Sequence, residues 1–571
     1  MESQGPKNIF SNPVRRILQV IKLEKNEISS VYFYAILSGL IQLSLPLGIQ
    51  SIISFVLGGS LSTSLVILIS LVVIGVFLNG MLQINQMRLI EKVQQKIFVR
   101  YSFEFAERIP KMNLQAIDSY YLPEQVNRFF DTVNLQKGIS KLLLDIPSAT
   151  IQIIFGLMLL SFYHPVFIIF GLVLLLIIYI ILRLTAARGM ESSLRASDYK
   201  YSIAGWLEEM ARVIKSFKFS RNTNLNIQHT DILVSGYLNQ RTIHFKTLLV
   251  QYWSLVIFKV IITASMLIVG CILLIDQQLN IGQFIAAEIV ILSTISSVEK
   301  ILVNLDVVYD VLTSVEKLGK IIDKPLEEDG FLDLPTENNG LSVELNNVSF
   351  AYVPDISLPV LSGINFNIGH NEKVCIMGAT GSGKSSLLRV ISGTYSQYAG
   401  NIFINNIPIS NYKLDSLRNE TGIFLNQQDI FQGTLMENIT MGNQAIAAQH
   451  ILVLANKVGL QAFMNDLSDG LNTMLDPIGK RLSKNINQKI LLLRALVNQP
   501  RLILLEEPFD GISPLAKQSV IQYLLNETAN QTVIISCNDA AFAAQCDQVI
   551  YLEKGKVKAV GKWDDIKNNL N

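Results

Sequence analysis

The sequence predicts a membrane-embedded α-helical bundle followed by an α/β domain. Half of the 571 residues are hydrophobic, only 16% are charged, and the mean hydropathy is +0.37. Soluble domains contain about 25% charged residues, so the missing charge must be concentrated in segments that avoid water. The second observation is a hydrophobic strand that runs into a glycine-rich turn and a helix at residues 374–389. This order of elements is typical of α/β domains.

Composition also disfavours several kinds of site. The chain has 47 basic and 46 acidic residues, so it lacks the basic surplus of a nucleic-acid-binding surface, and we expect no nucleic-acid partner. The four cysteines and five histidines do not follow the spacing of a metal site or of a disulfide framework. We therefore expect the cysteines to be isolated buried thiols.

Six apolar runs between residues 28 and 303 are long enough to cross about 30 Å of hydrocarbon. They occupy residues 31–55, 63–83, 146–163, 166–182, 255–275 and 282–302. Short connections join the runs into three pairs, whereas the connections between pairs are about 60 residues long and rich in Lys and Arg. By the positive-inside bias, we expect the long connections, both termini and the second domain to be cytoplasmic. The sequence therefore predicts a multi-pass protein of the cell or inner membrane, surrounded by lipid.

We divide the chain into four parts. Residues 1–27 form an N-terminal interfacial segment, because its apolar side chains fall on one face of a helix; an ordinary packed helix is the alternative. Residues 28–323 form the six-helix membrane domain with long helical connections. A linker rich in Pro, Asp and Gly occupies 324–340, and the α/β domain occupies 341–571.

Two charged residues interrupt the apolar runs. Ionisable groups at this depth are costly and usually face a cavity or a partner. Lys259 lies near the inner end of the fifth run, whereas Glu288 lies closer to the outer end of the sixth. We interpret Glu288 as a candidate for a translocation pathway, with a structural hydrogen bond as the alternative.

The glycine-rich turn is a complete phosphate-binding loop. It reads G-x-x-x-x-G-K-S at residues 378–385. Backbone N–H groups of such a loop surround phosphate oxygens, Lys384 reaches the outer phosphates, and Ser385 is suited to ligate Mg²⁺. The cofactors expected are therefore ATP and Mg²⁺.

A second hydrophobic strand, residues 502–505, ends in two carboxylates. Glu506 is placed to associate with Mg²⁺, and Glu507 is the candidate general base that polarises the attacking water. Such a strand is weak evidence alone and strong evidence with a phosphate loop upstream.

Over nearly its full length the chain resembles the half-transporters of the ATP-binding cassette (ABC) exporters, which have a type I exporter fold of six crossings and one nucleotide-binding domain. The resemblance also rests on residues 348–352, 431–439 and 494–501. It implies a dimer in which one subunit's phosphate loop and the other's signature sequence hold ATP, and loops near 112–124 and 211–221 that dock onto the nucleotide-binding domain. Tyr352 corresponds to the adenine-stacking aromatic. The nucleotide-binding residues implied are Tyr352, Gly378, Ala379, Thr380, Gly381, Ser382, Gly383, Lys384, Ser385 and Ser386.

The sequence departs from the family pattern at several catalytic positions. The signature Leu-Ser-Gly-Gly-Gln falls on Leu482, Ser483, Lys484, Asn485 and Ile486, so both glycines are lost. The switch histidine is Asn538, which cannot carry a proton charge near neutrality. The glutamine that helps to organise Mg²⁺ is Asn426, or Gln427 after a one-residue shift, and the D-loop aspartate is Ser513.

These losses predict a degenerate nucleotide-binding domain that binds ATP and hydrolyses it slowly, because each positioned donor is worth about 10²–10³ in rate. The first hypothesis is an exporter subunit that works with a second, more active half-transporter. The second is a homodimeric exporter in which Lys484 and Glu507 substitute for the lost groups. The third is a non-transporting pseudo-ATPase that ATP gates. The transported substrate stays open between a peptide or protein, with a periplasmic adaptor, and a lipid or drug.

Overall fold

The computed structural model describes residues 11–58, 63–118, 121–220, 224–353, 358–426, 428–475 and 482–567. Within this part of the chain, two compact units are distinguished. The first contains residues up to Pro110 and Tyr120–Lys324, and the second contains Lys111–Ser119 and Pro325 onward. The short segment 111–119 therefore belongs with the C-terminal unit although it lies far from it in sequence.

Helices account for nearly all of the first unit. In chain order the helices up to residue 322 are α1 (Ser11–Leu23), α2 (Lys25–Gln42), α3 (Ser44–Leu57), α4 (Thr63–Arg108), α5 (Leu114–Ile117), α6 (Leu122–Val126), α7 (Asp131–Tyr163), α8 (Val166–Arg212), α9 (Ile214–Phe219), α10 (Leu225–Ile275), α11 (Ile281–Val303) and α12 (Leu305–Ile322). Of these, α5 belongs to the second unit.

The described residues contain six helical segments that are long and apolar enough to cross a membrane, as the sequence predicts. Helices α4 and α8 continue at least 25 residues after their apolar runs, and α10 begins 30 residues before its run. The long connections are therefore largely helical, as the sequence predicts. A capping box fixes the start of α11: the Asn280 side chain accepts from the Gln283 N–H at 2.7 Å, and the Gln283 side chain accepts from the Asn280 N–H at 3.0 Å.

Buried polar groups join the helices of the first unit. Gln251 on α10 is fully buried and donates to Thr185 on α8 at 2.7 Å and to the Tyr309 hydroxyl on α12 at 3.0 Å. On the same helix, the His244 ring is buried and lies 3.0 Å from an Asp306 carboxylate oxygen. Because an unpaired buried polar group costs about 1–3 kcal/mol, these contacts favour one register of α8, α10 and α12.

Of the two charges in the apolar runs, Lys259 pairs with Glu299. Glu288 on α11 is partly buried and forms no hydrogen bond or ion pair with the part of the chain that the structure describes. The structure thus supplies no structural hydrogen bond for Glu288, and its assignment to a translocation pathway stays a prediction.

The second unit contains two main β-sheets. Its strands are β1 (Val343–Phe350), β2 (Leu361–Ile368), β3 (Lys373–Met377), β4 (Ala399–Ile404), β5 (Ile407–Pro408), β6 (Thr421–Phe424), β7 (Gly433–Thr434), β8 (Met474–Leu475), β9 (Leu502–Glu506), β10 (Thr532–Ser536), β11 (Gln548–Glu553) and β12 (Lys556–Gly561). The first sheet is antiparallel, in the order β2-β1-β4-β5. The second has the order β12-β11-β3-β10-β9-β6, in which only β12 is antiparallel to its neighbour.

The helices of the second unit cover these sheets. They are α13 (Lys384–Ile391), α14 (Leu414–Asn419), α15 (Leu435–Thr440), α16 (Ala448–Lys457), α17 (Gln461–Asn465), α18 (Lys484–Leu496), α19 (Pro514–Gln522), α20 (Ala540–Ala543) and α21 (Trp563–Ile566). All five residues of β3, of β9 and of β10 are buried, as expected for parallel strands covered on both faces. The α/β prediction for this part of the chain is confirmed.

The expectation of isolated buried thiols is wrong, because one cysteine is exposed and the other three are buried together around Cys375. Cys271, on α10, is exposed. Cys375 and Cys537 are buried but lie together, with 3.7 Å between their sulfur atoms, because β3 and β10 pair in parallel. Sequence spacing alone does not show this pairing, since the two residues are 162 positions apart.

The Arg501 side chain anchors the segment that leads into the second unit. Its guanidinium is buried and donates to the carbonyl of Asn339 at 2.7 Å and to that of Pro335 at 2.6 Å. We predict that Arg501→Met destabilises this unit by roughly 3 kcal/mol, since each hydrogen bond from a charged group contributes about 1.5–3 kcal/mol. Calorimetry of the purified chain in detergent measures the effect.

The matched control is Lys413→Met, which removes an exposed ion pair with Asp333 in the same unit and should cost less than about 1 kcal/mol. Equal unfolding temperatures for the two variants would contradict the role of Arg501.

Candidate nucleotide-binding site

The phosphate loop connects β3 to α13 and has the backbone shape that phosphate binding requires. Gly378 (φ 148°), Gly381 (φ 82°) and Gly383 (φ 100°) all have positive φ, which side-chain-bearing residues rarely adopt. At Gly378 a Cβ would also collide with the carbonyl oxygen of Leu552. Glycine is therefore required at Gly378 for steric as well as conformational reasons.

Lys384, the first residue of α13, is buried and its ammonium points back into the loop. Its Nζ atom donates to the carbonyl of Gly378 at 2.7 Å and to that of Ala379 at 3.3 Å. Ser382 is also buried, and its hydroxyl has no hydrogen-bond partner among the described residues. An ammonium and an orphaned hydroxyl in a glycine-rich loop are groups that phosphate oxygens would satisfy. Thr380 lies within this loop and Ser385 in the first turn of α13.

The aromatic ring proposed to stack on adenine lies beside this helix. The Tyr352 hydroxyl is 2.9 Å from the Ser386 hydroxyl and accepts a hydrogen bond from Arg389 at 2.9 Å. Its ring packs edge-on against Phe350 and Tyr395. Arg389 and Tyr395 were not among the sequence candidates, because nothing in their spacing distinguishes them from ordinary surface and core residues.

The segment 111–119 packs against this same end of the second unit. Gln115 on α5 donates to the carbonyl of Ala351, next to Tyr352, at 3.3 Å. The Tyr395 hydroxyl donates to the Asp118 carboxylate at 2.6 Å. Burial and the nearby carboxylate raise the pKa of Tyr395, so it stays protonated as the donor. The other connection implied by the resemblance, which contains α9, lies in the first unit.

The two carboxylates at the end of β9 have different surroundings. Glu506 is buried and accepts a hydrogen bond from the backbone N–H of Asn426 at 3.0 Å. Glu507 has a left-handed backbone (φ 45°), which is unusual for a non-glycine residue. Burial raises the pKa of Glu507, and the Lys384 charge opposes part of that rise. Asn426 thus lies next to Glu506, whereas Gln427 lies outside the described residues.

Asn538 follows β10 and contacts the phosphate loop directly. Its side-chain oxygen accepts a hydrogen bond from the backbone N–H of Gly378 at 3.2 Å. An amide at this position offers neutral hydrogen bonds but no positive charge. The structure therefore brings Asn538, Glu506, Glu507 and the loop to the carboxyl edge of one parallel sheet.

The signature positions begin a different helix. Ser483 caps α18 by accepting from the Ile486 N–H at 3.3 Å, and Lys484 is exposed in the first turn while Leu482 and Asn485 are half-buried. Among the described residues, no hydrogen bond joins these positions to the phosphate loop of the same chain. Ser513 likewise caps α19, through the Ala516 N–H at 3.4 Å.

Two family models match the chain. The model described as the ABC transporter transmembrane region matches residues 30–297, and the model described as ABC transporter matches residues 361–510. The chain belongs to the ABC transporter family.

Known proteins similar to this ABC transporter include toxin translocation proteins. The alpha-hemolysin translocation ATP-binding protein HlyB of Escherichia coli is 28% identical over 298 residues, which cover 52% of this chain and 42% of HlyB. The leukotoxin translocation ATP-binding protein LktB of Mannheimia haemolytica is 27% identical over 303 residues, or 53% and 42% of the two chains. The matched region thus spans less than half the length of these relatives.

A solved structure resembles the chain over almost its whole length. The structure of a bacterial Atm1-family ABC exporter with ATP bound has a TM-score of 0.86 and covers 95% of this chain and 96% of its own, at 17% sequence identity. This match confirms the predicted fold, a type I exporter-like helical bundle joined to an α/β nucleotide-binding domain.

We predict that Lys384→Met weakens ATP binding by at least about tenfold, because it removes a charged donor to the phosphates worth about 1.5–3 kcal/mol. Titration of the purified chain with a fluorescent ATP analogue measures the affinity. The control is Lys413→Gln, which removes an exposed lysine paired with Asp333. Unchanged affinity in Lys384→Met would show that the loop does not hold the phosphates.

Proposed function

We propose that this chain is the ATP-binding subunit of an ABC exporter, that it binds MgATP firmly but hydrolyses it slowly, and that it pairs with a second half-transporter. In this proposal both termini and the nucleotide-binding domain are cytoplasmic. The observation that carries the proposal is the contrast within one site: the phosphate loop has its full backbone geometry, whereas the residue bonded to Gly378 is the uncharged Asn538.

The oxygen donors near the loop fit a magnesium ion. Glu506 offers a buried carboxylate with one backbone hydrogen bond, and Ser385 offers a hydroxyl at the start of α13. Hydroxyl and carboxylate oxygens are the ligands that Mg²⁺ prefers. We propose that Ser385, Glu506 and the side chain of Asn426 or Gln427 hold the ion, which when bound neutralises charge on the phosphates.

Glu507 is the proposed general base. The oxygen of a water attacks the γ-phosphorus, the bond from that phosphorus to the bridging oxygen breaks, and the water proton passes to the Glu507 carboxylate. Lys384 holds the outer phosphates. Asn538 cannot supply the positive charge that would stabilise the developing charge on the γ-phosphate, so this step is slow.

The location of the altered residues is the reason for proposing a second half-transporter as partner. The family functions as dimers in which each nucleotide contacts the phosphate loop of one subunit and the signature of the other. In a homodimer, both sites would contain Asn538 and Lys484. With a partner whose signature and switch residues are intact, one site would contain Asn538 and the other would contain Lys484.

A homodimer is the second candidate function, and one observation favours it. Lys484 is exposed in the first turn of α18, where its ammonium has room to approach a partner's γ-phosphate in place of the lost glycine backbone. If Lys484 compensates in this way, the isolated chain would hydrolyse ATP at an ordinary rate. If it neither hydrolyses ATP nor supports transport, the chain is an ATP-gated pseudo-ATPase.

The substrate class is proposed from the names of the relatives. HlyB is named for alpha-hemolysin translocation and LktB for leukotoxin translocation. By similarity to them we propose a polypeptide substrate, and with it a periplasmic adaptor and a path lined by Glu288. Lipid or drug export is the alternative. Flux into inverted vesicles, measured with a polypeptide and with lipid and drug probes, separates these substrates.

We predict that Asn538→His raises the ATPase rate of the purified chain by at least about tenfold, since one positioned donor is worth about 10²–10³ in rate. A coupled assay at saturating MgATP measures this rate. Asn538→Ala is the control and should leave the slow rate nearly unchanged. A rapid wild-type rate that the histidine does not increase would refute slow hydrolysis and support the homodimer with compensating residues.

We also predict that the residual ATPase rate falls on the acid side with a midpoint above pH 4.5, the ordinary value for a glutamate. The reason is that burial raises the pKa of Glu507, so the carboxylate is protonated and inactive as a base at a higher pH than usual. Rate–pH profiles of the wild type and of Glu507→Gln measure this. The variant should lose about 10²-fold or more in rate. An identical profile in Glu507→Gln would exclude this residue as the base.

A further inference from the structure

A cavity in the first unit has the chemistry of a binding site. It has a volume of about 450 Å³ and opens between α7, α8, α10 and α12. This volume is within the range of about 300–1,000 Å³ that small-molecule sites occupy. The cavity lies entirely in the first unit, whereas the phosphate loop lies in the second.

The charges around the cavity are unbalanced. Its wall contains four basic side chains and two acidic ones. Lys200 is engaged, because its Nζ atom lies 3.2 Å from the Asp131 carboxylate. Asp306 lies beside the cavity, 3.0 Å from the His244 ring, and keeps its negative charge, which acts on Arg241 and Lys141. The three other cations, Lys137, Lys141 and Arg241, therefore face two carboxylates, that of Asp310 in the wall and that of Asp306 beside it, which leaves an excess of positive charge.

Lys137, Lys141 and Arg241 form no ion pair with any residue that the structure describes. Structural lysines and arginines in a cleft usually approach a carboxylate, as Lys317 does with Asp198 in the same unit. The side chains of Lys137, Lys141 and Arg241 are exposed, so water screens part of the repulsion between them, and an anion in the cleft would relieve the rest.

A buried hydroxyl provides an independent indication. Ser197 on α8 lines the cavity with 9% of its surface exposed, and its Oγ atom has no hydrogen-bond partner among the described residues. Buried hydroxyls are normally hydrogen-bonded, since leaving one unpaired costs about 1–3 kcal/mol. A ligand oxygen in the cavity would satisfy it.

The cavity lies close to the ends of the apolar runs. Lys141 precedes the run 146–163 by five residues, or about 7.5 Å of helix. Anionic lipid headgroups and soluble anions would therefore both have access to this depth.

We propose that this cavity, which we call the α7–α12 cleft, binds a phosphate-bearing anion through Lys137, Lys141, Arg241 and the Ser197 hydroxyl. The phosphate belongs either to a lipid headgroup or to a soluble metabolite. The inference goes beyond the proposed function, and binding at the cleft does not require ATP hydrolysis.

Equilibrium dialysis of the full chain tests the soluble source. The chain is placed in phosphatidylcholine nanodiscs, its nucleotide site is kept filled with MgADP, and labelled pyrophosphate is the probe. One pyrophosphate per chain should bind. Lys141→Gln/Arg241→Gln should weaken binding by at least about tenfold, because each charge-assisted contact contributes about 1.5–3 kcal/mol.

A second arm tests the lipid source. The chain is extracted with detergent from vesicles that contain phosphatidylglycerol, and the lipid retained per chain is counted. A headgroup in the cleft predicts retention by the wild type that the same double variant loses.

The matched control is Arg195→Gln/Lys246→Gln, which removes two exposed charges from α8 and α10 outside the cleft. It should behave as the wild type in both arms. Ser197→Ala removes only the hydroxyl and should weaken binding several-fold. If the double variant does not fold, this single variant tests whether the cleft binds the probe. The proposal is overturned if the wild type binds neither probe, or if the cleft variants bind as tightly as the control.

Discussion

The parallel pairing of β3, β10 and β9 is the interaction on which the nucleotide site depends. Strands that pair in parallel end at the same edge of the sheet, and here the pairing sets Cys375 beside Ile535 and Ile535 beside Leu505. The residues that follow each strand therefore meet: the phosphate loop after β3, Asn538 after β10 and Glu507 after β9. The hydrogen bonds from Gly378 to Asn538 and from Glu507 to the carbonyl of Ser536 are direct consequences of this register.

In the proposed function, ATP binding and ATP hydrolysis depend on different groups of this site. Binding relies largely on backbone N–H groups and on Lys384, and backbone groups survive most substitutions so long as the glycines remain. We propose that hydrolysis depends more on side chains near the γ-phosphate, and the sequence differs from the family pattern at several of these positions, Asn538 among them. The contacts of Gln115 and Asp118 with Ala351 and Tyr395 attach a segment of the N-terminal half to the end of the unit that contains Tyr352.

Much of this could be predicted from sequence because the signals are local. Apolar length gives the six spans, and the phosphate loop follows from eight consecutive residues. What could not be predicted involves groups far apart in the chain. Examples are the Asn538 contact with Gly378 across 160 positions and the Arg389 bond to Tyr352. The cysteine prediction failed for the same reason, since only strand pairing brings Cys375 to Cys537. The α7–α12 cleft likewise arises from four helices that meet only in the folded unit.

We propose that this chain holds ATP without readily hydrolysing it. The most direct test is the chemical identity of the nucleotide that the purified full chain retains. The chain is incubated with MgATP for many minutes, separated rapidly from free nucleotide, and its bound nucleotide is resolved by chromatography. Mostly intact ATP, near one per chain, is the predicted result. Bound ADP in place of ATP, with free phosphate accumulating over many turnovers, would contradict it.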